Sequence, residues 1–240
     1  MKNRLSDSLI RLDETDSTNR YALDLSKEKE GDFAVTAEMQ TRGRGRMGRS
    51  FESPKGSGLY LTVLERRVLD PHLTPLVAVC TAKAIEKTTG LFCDIKWPND
   101  IVFGGRKLCG ILCERLGDAV AIGIGINLSQ TEEDFGELKD IATSLRLCGE
   151  KADKEELLSA LLSGLDEMLD TYADAGKRNE YLAYYRYHSN VIGKEIWLIS
   201  GNKKTPALCT GINEDFELLV KYDDGKEGVI STGEISLRLR

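Results

Sequence analysis

Apolar positions recur along this 240-residue chain with two periods, and each change of period marks an element. The first turn signal is Asp16-Ser17-Thr18-Asn19. Beyond it Tyr21, Ala22 and Leu25 recur at helical spacing, which predicts a helix over 20–29 with Ser or Thr as its cap. Residues 33–39 and 59–64 read as strands, separated by a loop dense in Arg and Gly. Next comes a core helix with Thr74 as N-cap, Pro75 at its first position, apolar residues at 76, 77, 80, 84 and 85, and Gly90 just past its end. Short strands at 94–97 and 101–103 flank Pro98-Asn99-Asp100. Gly104-Gly105 turns the second of them into a hairpin with 107–115, and 119–128 supplies a further apolar strand. From Asp153, with Glu156 three residues on, leucines at 157, 158, 161, 162, 165 and 169 mark a long amphipathic helix closed by Gly176. A shorter helix follows at 179–187.

Around Val191 the pattern turns to short strands parted by Gly201-Asn202, Asn213-Glu214-Asp215 and Asp223-Asp224-Gly225, which read as a small barrel-like β module. The expectation is an α+β fold: a mixed β-sheet packed with helices over 1–188, then a small all-β domain over 189–240. No internal repeat, low-complexity run or apolar stretch of membrane-spanning length interrupts it.

Composition narrows the chemistry. A chain that is 41% hydrophobic and 30% charged can bury an ordinary core without metal or disulfide staples. The start of the chain lacks the apolar core of a signal peptide, so a cytoplasmic location is expected. The six cysteines (80, 93, 109, 113, 148 and 209) form no Cys-x-x-Cys and read as reduced, mostly buried thiols. With only His72 and His188, a multi-histidine metal site is nearly excluded. A net charge of −6 disfavours a general nucleic-acid binder. The positive charge is concentrated instead in Arg42, Arg44, Arg46 and Arg49, interleaved with Gly43, Gly45 and Gly48, as suits a small anionic ligand.

Gly43-Arg-Gly45-Arg-Met-Gly48 fits the literal dinucleotide fingerprint, but a turn and a strand follow it where that fingerprint needs a helix. What remains is physical: glycines let backbone amides approach a ligand, and arginines present bidentate cations to carboxylate or phosphate. Lys96-Trp97-Pro98-Asn99-Asp100 is either an ordinary Asx turn or a strand end presenting polar groups to Mg²⁺, ribose or phosphate. Lys107 enters an apolar strand, either as an edge gatekeeper or beside an anion. Gly123 and Gly125 point to close backbone packing or a flat ring lying on the strand, and Asn127 can both donate and accept, as adenine recognition requires.

In this order the segments resemble the bacterial biotin protein ligases. The residues carrying the resemblance are Asp16-Ser17-Thr18-Asn19, Gln40 with Gly43-Arg44-Gly45-Arg46 and Gly48-Arg49, Lys96 to Asp100, Arg106-Lys107-Leu108-Cys109-Gly110-Ile111-Leu112, Gly123-Ile-Gly125-Ile-Asn127, and Gly233-Glu234-Ile235-Ser236-Leu237-Arg238. The resemblance implies a biotin/lipoate ligase-like domain with a C-terminal SH3-like barrel. It implies that biotin and MgATP form biotinyl-5′-AMP, from which biotin passes to a lysine of the biotin carboxyl carrier domain of a biotin-dependent carboxylase.

By the same resemblance, Lys107 and Arg46 are catalytic. Ser17, Thr18, Asn19, Gln40, Gly43, Arg44, Gly45, Arg46, Lys107 and Gly110 bind biotin. Lys96, Trp97, Asn99, Asp100, Asn127 and Arg238 bind the nucleotide, with Asp100 toward Mg²⁺. Some family members carry a basic residue where Met47 stands and Trp where Phe51 stands. The chain begins almost at the ligase domain, without the helix-turn-helix of repressor-type members, so no specific DNA binding is expected. A homodimer is left open because dimerisation is common among relatives. The alternatives are a lipoate-type protein ligase, a non-catalytic biotin-sensing protein, and an RNA-binding module built on Arg42 to Arg49.

Overall fold

The computed structural model describes residues 4–67 and 73–237. A short helix α1 (Arg4–Asp7) leads into β1 (Leu9–Thr15), a strand that the periodicity does not mark. Its Arg11 points outward to Glu155 from the edge of a sheet, while Leu9, Ile10 and Leu12 pack inward, so apolar and charged positions do not alternate cleanly. Helix α2 (Thr18–Leu25) starts two residues earlier than its spacing predicts and crosses over to β2 (Phe33–Gln40), which pairs parallel to β1.

The main sheet continues through β3 (Gly58–Glu65), β4 (Asp94–Lys96), β5 (Asp100–Phe103), β6 (Arg106–Leu116) and β7 (Ala119–Asn127), in the order β1-β2-β3-β7-β6-β5-β4. Only β1 and β2 are parallel; every other pairing is antiparallel, so the sheet is mixed. Strand β3 is buried on both faces. Leu59, Leu61 and Val63 face the helical layer, whereas Tyr60, Thr62 and Leu64 face α2.

The helical layer is α3 (Leu73–Thr89), packed on α5 (Lys154–Asp170) and α6 (Ala175–Tyr187), with the small helix α4 (Glu132–Phe135) on the connection after β7. Leu73 is already helical, so Thr74 and Pro75 lie inside α3 rather than at its cap; His72 lies outside the described residues. Asp153 caps α5 as expected, accepting from the Glu155 and Glu156 amides. Gly176 does not close that helix. The helix ends at Asp170, and Asp174 caps a new one by accepting from the Lys177 amide, so Gly176 sits in the first turn of α6. His188 follows the last residue of α6, as expected of an element end, with Nδ1 2.9 Å from the Cys93 carbonyl.

Beyond it β8 (Glu195–Ser200), β9 (Lys203–Ile212), β10 (Leu218–Tyr222), β11 (Glu227–Ile230) and β12 (Glu234–Leu237) form a five-stranded antiparallel sheet. The last strand returns to pair with the first, as the SH3-like reading requires. The two sheets share a core in which Trp97 donates its indole N–H to the Phe216 carbonyl at 2.9 Å and Tyr185 meets the Phe216 ring edge-on. Among the described residues, no helix is long and apolar enough to cross a membrane. The six cysteines are free, with Cys80, Cys93, Cys109 and Cys209 buried.

Candidate functional site

The turn Asp16-Ser17 delivers α2 onto the open face of β3 and β7. Ser17 occupies the N-cap position, but its hydroxyl makes no capping bond and lines a cavity instead. The Thr18 amide donates to Gln40 Oε1 at 2.9 Å, and the Thr18 hydroxyl lies 3.0 Å from the same oxygen and 2.8 Å from the Thr62 hydroxyl. Gln40 Nε2 in turn donates to Ser53 Oγ at 2.8 Å. Asn19 is consumed by the protein: Nδ2 donates to the Leu112 carbonyl at 3.1 Å and to Glu114 Oε2 at 3.0 Å, while Oδ1 accepts from Thr62 at 2.7 Å. Gly123 is required beneath it, because a Cβ there would lie 2.2 Å from Asn19 Oδ1. This end of the cavity is uncharged and rich in donors and acceptors.

The Arg/Gly loop folds back over the cavity. Arg44 bridges Ser50, Gly45 donates its amide to the Arg49 carbonyl at 2.7 Å, and Phe51 donates its amide to the Gly43 carbonyl at 2.9 Å. Gly43 packs so closely that a Cβ would meet the Phe51 carbonyl at 2.2 Å. The Phe51 ring lies on β7, where a Cβ on Gly125 would come within 2.6 Å of it, and stands 3.4 Å from the position of a Cβ on Gly110. The flat ring expected on the Gly123/Gly125 strand is thus one of the chain's own side chains. Met47, at φ 56°, is exposed at the loop tip.

Two cations, Arg46 and Lys107, meet at the other end, while Arg44 stays beside Asn19 through Glu114. Arg44 pairs with Glu114 at 3.0 Å and Lys107 with Asp100 at 2.8 Å, where the anion beside a strand lysine is now identified. Asp100 Oδ1 is buried and has no other partner among the described residues. Arg46 reaches only neutral acceptors, Asn99 Oδ1 at 3.1 Å and the Gly233 carbonyl at 3.0 Å, so its charge is uncompensated by any described carboxylate. Asn99 is itself held by donating Nδ2 to the Ile111 carbonyl. Burial pushes the neighbouring Cys109 thiol up, so it stays neutral beside Lys107.

The first cavity runs from Ser17, Thr18, Asn19 and Gln40 to Arg44, Gly45, Arg46, Lys107 and Gly110. A second shares Gly45, Arg46, Phe51, Asn99 and Lys107 with it and extends to Arg49, Lys96, Trp97 and Asp100. The two are therefore contiguous, with Arg46 and Lys107 at the junction.

The comparisons fit this geometry. Residues 12–129 match the model of the Biotin/lipoate A/B protein ligase family. The chain is 35% identical over 236 residues to the bifunctional ligase/repressor BirA of Bacillus subtilis, covering 93% of this chain and 72% of that one. It is 33% identical to the biotin–[acetyl-CoA-carboxylase] ligase of Paracoccus denitrificans, covering 92% of this chain and 97% of that one. The solved biotin protein ligase of Aquifex aeolicus in complex with biotin and ATP superposes with a TM-score of 0.84 at 32% identity, over 96% of this chain and 98% of that one. The chain belongs to the biotin protein ligase family.

As a member of that family it brings together nearly all the residues its motifs single out. Gly43 supports the loop without lining either cavity. Asn127 also stands apart: its Nδ2 donates to the Thr143 carbonyl and its Oδ1 accepts from Gln130, and it lines neither cavity. Arg238 lies outside the described residues. Trp97 presents one side to the second cavity while its indole N–H is spent on Phe216. The motifs omit Thr62, Ser53 and Glu114, which tie the site together from other strands, and name Phe51 only for its size. A threonine between Leu61 and Val63 in an otherwise apolar run is the local signal for Thr62.

Among the described residues no group of three or more His, Cys, Asp and Glu is arranged to hold a metal ion. Asp100 supplies a single carboxylate there, paired with Lys107.

Proposed function

We propose that this protein activates biotin with MgATP and transfers it to a lysine of a biotin carboxyl carrier domain. The observation that carries the reading is that a cavity with a neutral, hydrogen-bonding end at Ser17, Thr18 and Gln40 runs into a second, cationic one, the two joined at Arg46 and Lys107. A ureido ring needs paired donors and acceptors, which Ser17, Thr18 and Gln40 offer. The carboxylate at the other end of biotin then lies at the junction, facing the triphosphate in the second cavity.

In the first step a biotin carboxylate oxygen bonds to the α-phosphorus of ATP, and the bond to the bridging oxygen breaks, releasing pyrophosphate. Two anions must approach, so Arg46 and Lys107 offset their repulsion and stabilise the charge on the phosphoryl oxygens. Lys96, Asn99 and Asp100 hold the nucleotide side, with Asp100 as a ligand to the Mg²⁺ that ATP brings. In the second step the carrier lysine amine bonds to the acyl carbon and AMP leaves. The folded-back loop keeps water from the mixed anhydride in between. We assign residues 1–188 to the adenylate-forming domain and residues 189–240 to a small domain that closes the junction through the Gly233 carbonyl.

Pyrophosphate release by the purified protein with MgATP, compared for biotin, lipoate and no acid, tests the reading. Biotin-dependent release with a protein-bound adenylate is expected. Release with lipoate alone would transfer the site to the other branch of the matched family, and no release with either acid would refute the enzyme.

A further inference from the structure

Glu114 belongs to no motif, yet its carboxylate touches both Asn19, at the uncharged end of the site, and Arg44 of the Arg/Gly loop. It stands on β6 opposite Ala121 of β7, so its backbone is fixed in the sheet. One oxygen accepts from Asn19 Nδ2 and the other pairs with Arg44, both at 3.0 Å, and only 21% of the side chain is exposed. Arg44, in contrast, sits on a loop whose backbone near the tip bonds to itself, from the Gly45 amide to the Arg49 carbonyl and from the Arg49 amide to the Arg46 carbonyl. The second proton of Asn19 Nδ2 goes to the Leu112 carbonyl and Oδ1 takes the Thr62 hydroxyl, so the Asn19 amide has no N–H left to offer a ligand.

We infer that Glu114 is a positioning residue that ties the Arg/Gly loop to the sheet, with Asn19 as the strut that aims its carboxylate and not as a donor to biotin. The inference rests on the proposed function only for the identity of the ligand. The tie at Glu114 is one end of the loop's attachment; Arg46 on Asn99 and the Gly233 carbonyl is the other. With Glu114 in place, Arg44 lies across the cavity mouth. Without the charge, the loop loses this tie, keeps the one at Arg46, and opens more often.

The test reads hydrogen exchange of residues 42–50 in the full ligand-free chain. Glu114→Gln keeps an acceptor for Asn19 and removes the charge that holds Arg44. Exchange in 42–50 is expected to quicken about two- to five-fold, the worth of a partly exposed ion pair, while the melting temperature stays unchanged. Raising salt from about 0.05 to about 0.5 M should quicken the same amides in the wild type but not in Glu114→Gln, because screening then has no pair to weaken. Arg44→Met should reproduce the effect, and the double variant should add nothing further. Should Glu114→Gln fail to fold, Arg44→Met carries the same comparison from the loop side.

In the presence of biotin and MgATP the bound adenylate should leave Glu114→Gln faster by a similar factor. Unchanged exchange and unchanged salt dependence in the variants would overturn the inference. Absence of any biotin-dependent pyrophosphate release in the wild type would overturn the proposed function and leave the exchange result to stand by itself.

Discussion

Replacing Gly125 by Ala probes whether the Phe51 ring is what seats the loop. An added Cβ would lie 2.6, 2.8 and 3.1 Å from three Phe51 ring carbons. Relaxed carbon contacts are about 3.5–4.0 Å apart, so something must move by about 1 Å. The β7 backbone cannot give way easily, because Gly125 is paired on one side with Tyr60 and on the other with Gly110. The ring can, since Phe51 is only half-buried and sits on the returning arm of the loop.

Overpacking of this kind costs about 1–3 kcal/mol. Borne by the loop, that is about a 5- to 150-fold loss in the population of the closed site, with a small change in global stability. Isothermal titration of biotin into Gly125→Ala should show weakening in that range, and hydrogen exchange of residues 42–53 should quicken in parallel. Phe51→Leu in the Gly125→Ala background should recover part of the loss, because it removes the colliding carbons. Wild-type biotin affinity in Gly125→Ala, or a double variant worse than the sum of the singles, would refute the idea that the ring on β7 seats the loop.

Three further outcomes are expected. Lys107→Ala should reduce biotin-dependent pyrophosphate release by at least about 100-fold with an unchanged circular dichroism spectrum; normal turnover would remove Lys107 from the chemistry. Burial pushes the Cys80 and Cys93 thiols up to about 12 and Cys113 up to about 11, so at pH 8 a thiol reagent should label all three slowly in the native protein and all six cysteines at once in denaturant; rapid native labelling of Cys80 would contradict the packing of α3. The Arg11 guanidinium holds the Glu155 carboxyl below its usual 4.5, so this pair stabilises the fold above that pH and the contribution is lost as pH falls through the lowered value. Arg11→Met should therefore cost about 0.2–1 kcal/mol near neutral pH and nothing at strongly acid pH, read from melting curves; a cost that grows on acidification has the wrong sign for this pair.

Much of the site was legible because its chemistry sits in short segments. The Arg/Gly loop, Lys96 to Asp100 and Lys107 carry residue types whose spacing within each segment already implies an anion site, and the two cavities contain them. At Gly125 the sequence left close backbone packing and a flat ring as alternatives, and the Phe51 ring is what lies there. Asn127 shows how an amide's versatility leaves its partner open: one that can donate and accept suits adenine, and here the same property joins the Thr143 carbonyl to Gln130. Strand β1 was missed because an edge strand has one side open to water, which breaks the alternation that marks a strand in the interior.

The sequence by itself determined the order of the longer helices and of the strands after β1, the cap at Asp153, the hairpin at Gly104-Gly105, and the concentration of cations in one loop. These depend on neighbours a few residues apart, and local spacing expresses them fully. Only the tertiary structure decided that Glu114 joins Asn19 to Arg44, that Thr62 lies beneath Thr18 and Asn19, and that the Gly233 carbonyl reaches Arg46. Those partners are separated by 43 to 187 residues along the chain. Their meeting follows from strand order and register, which bury a polar side chain only where a distant one arrives to satisfy it.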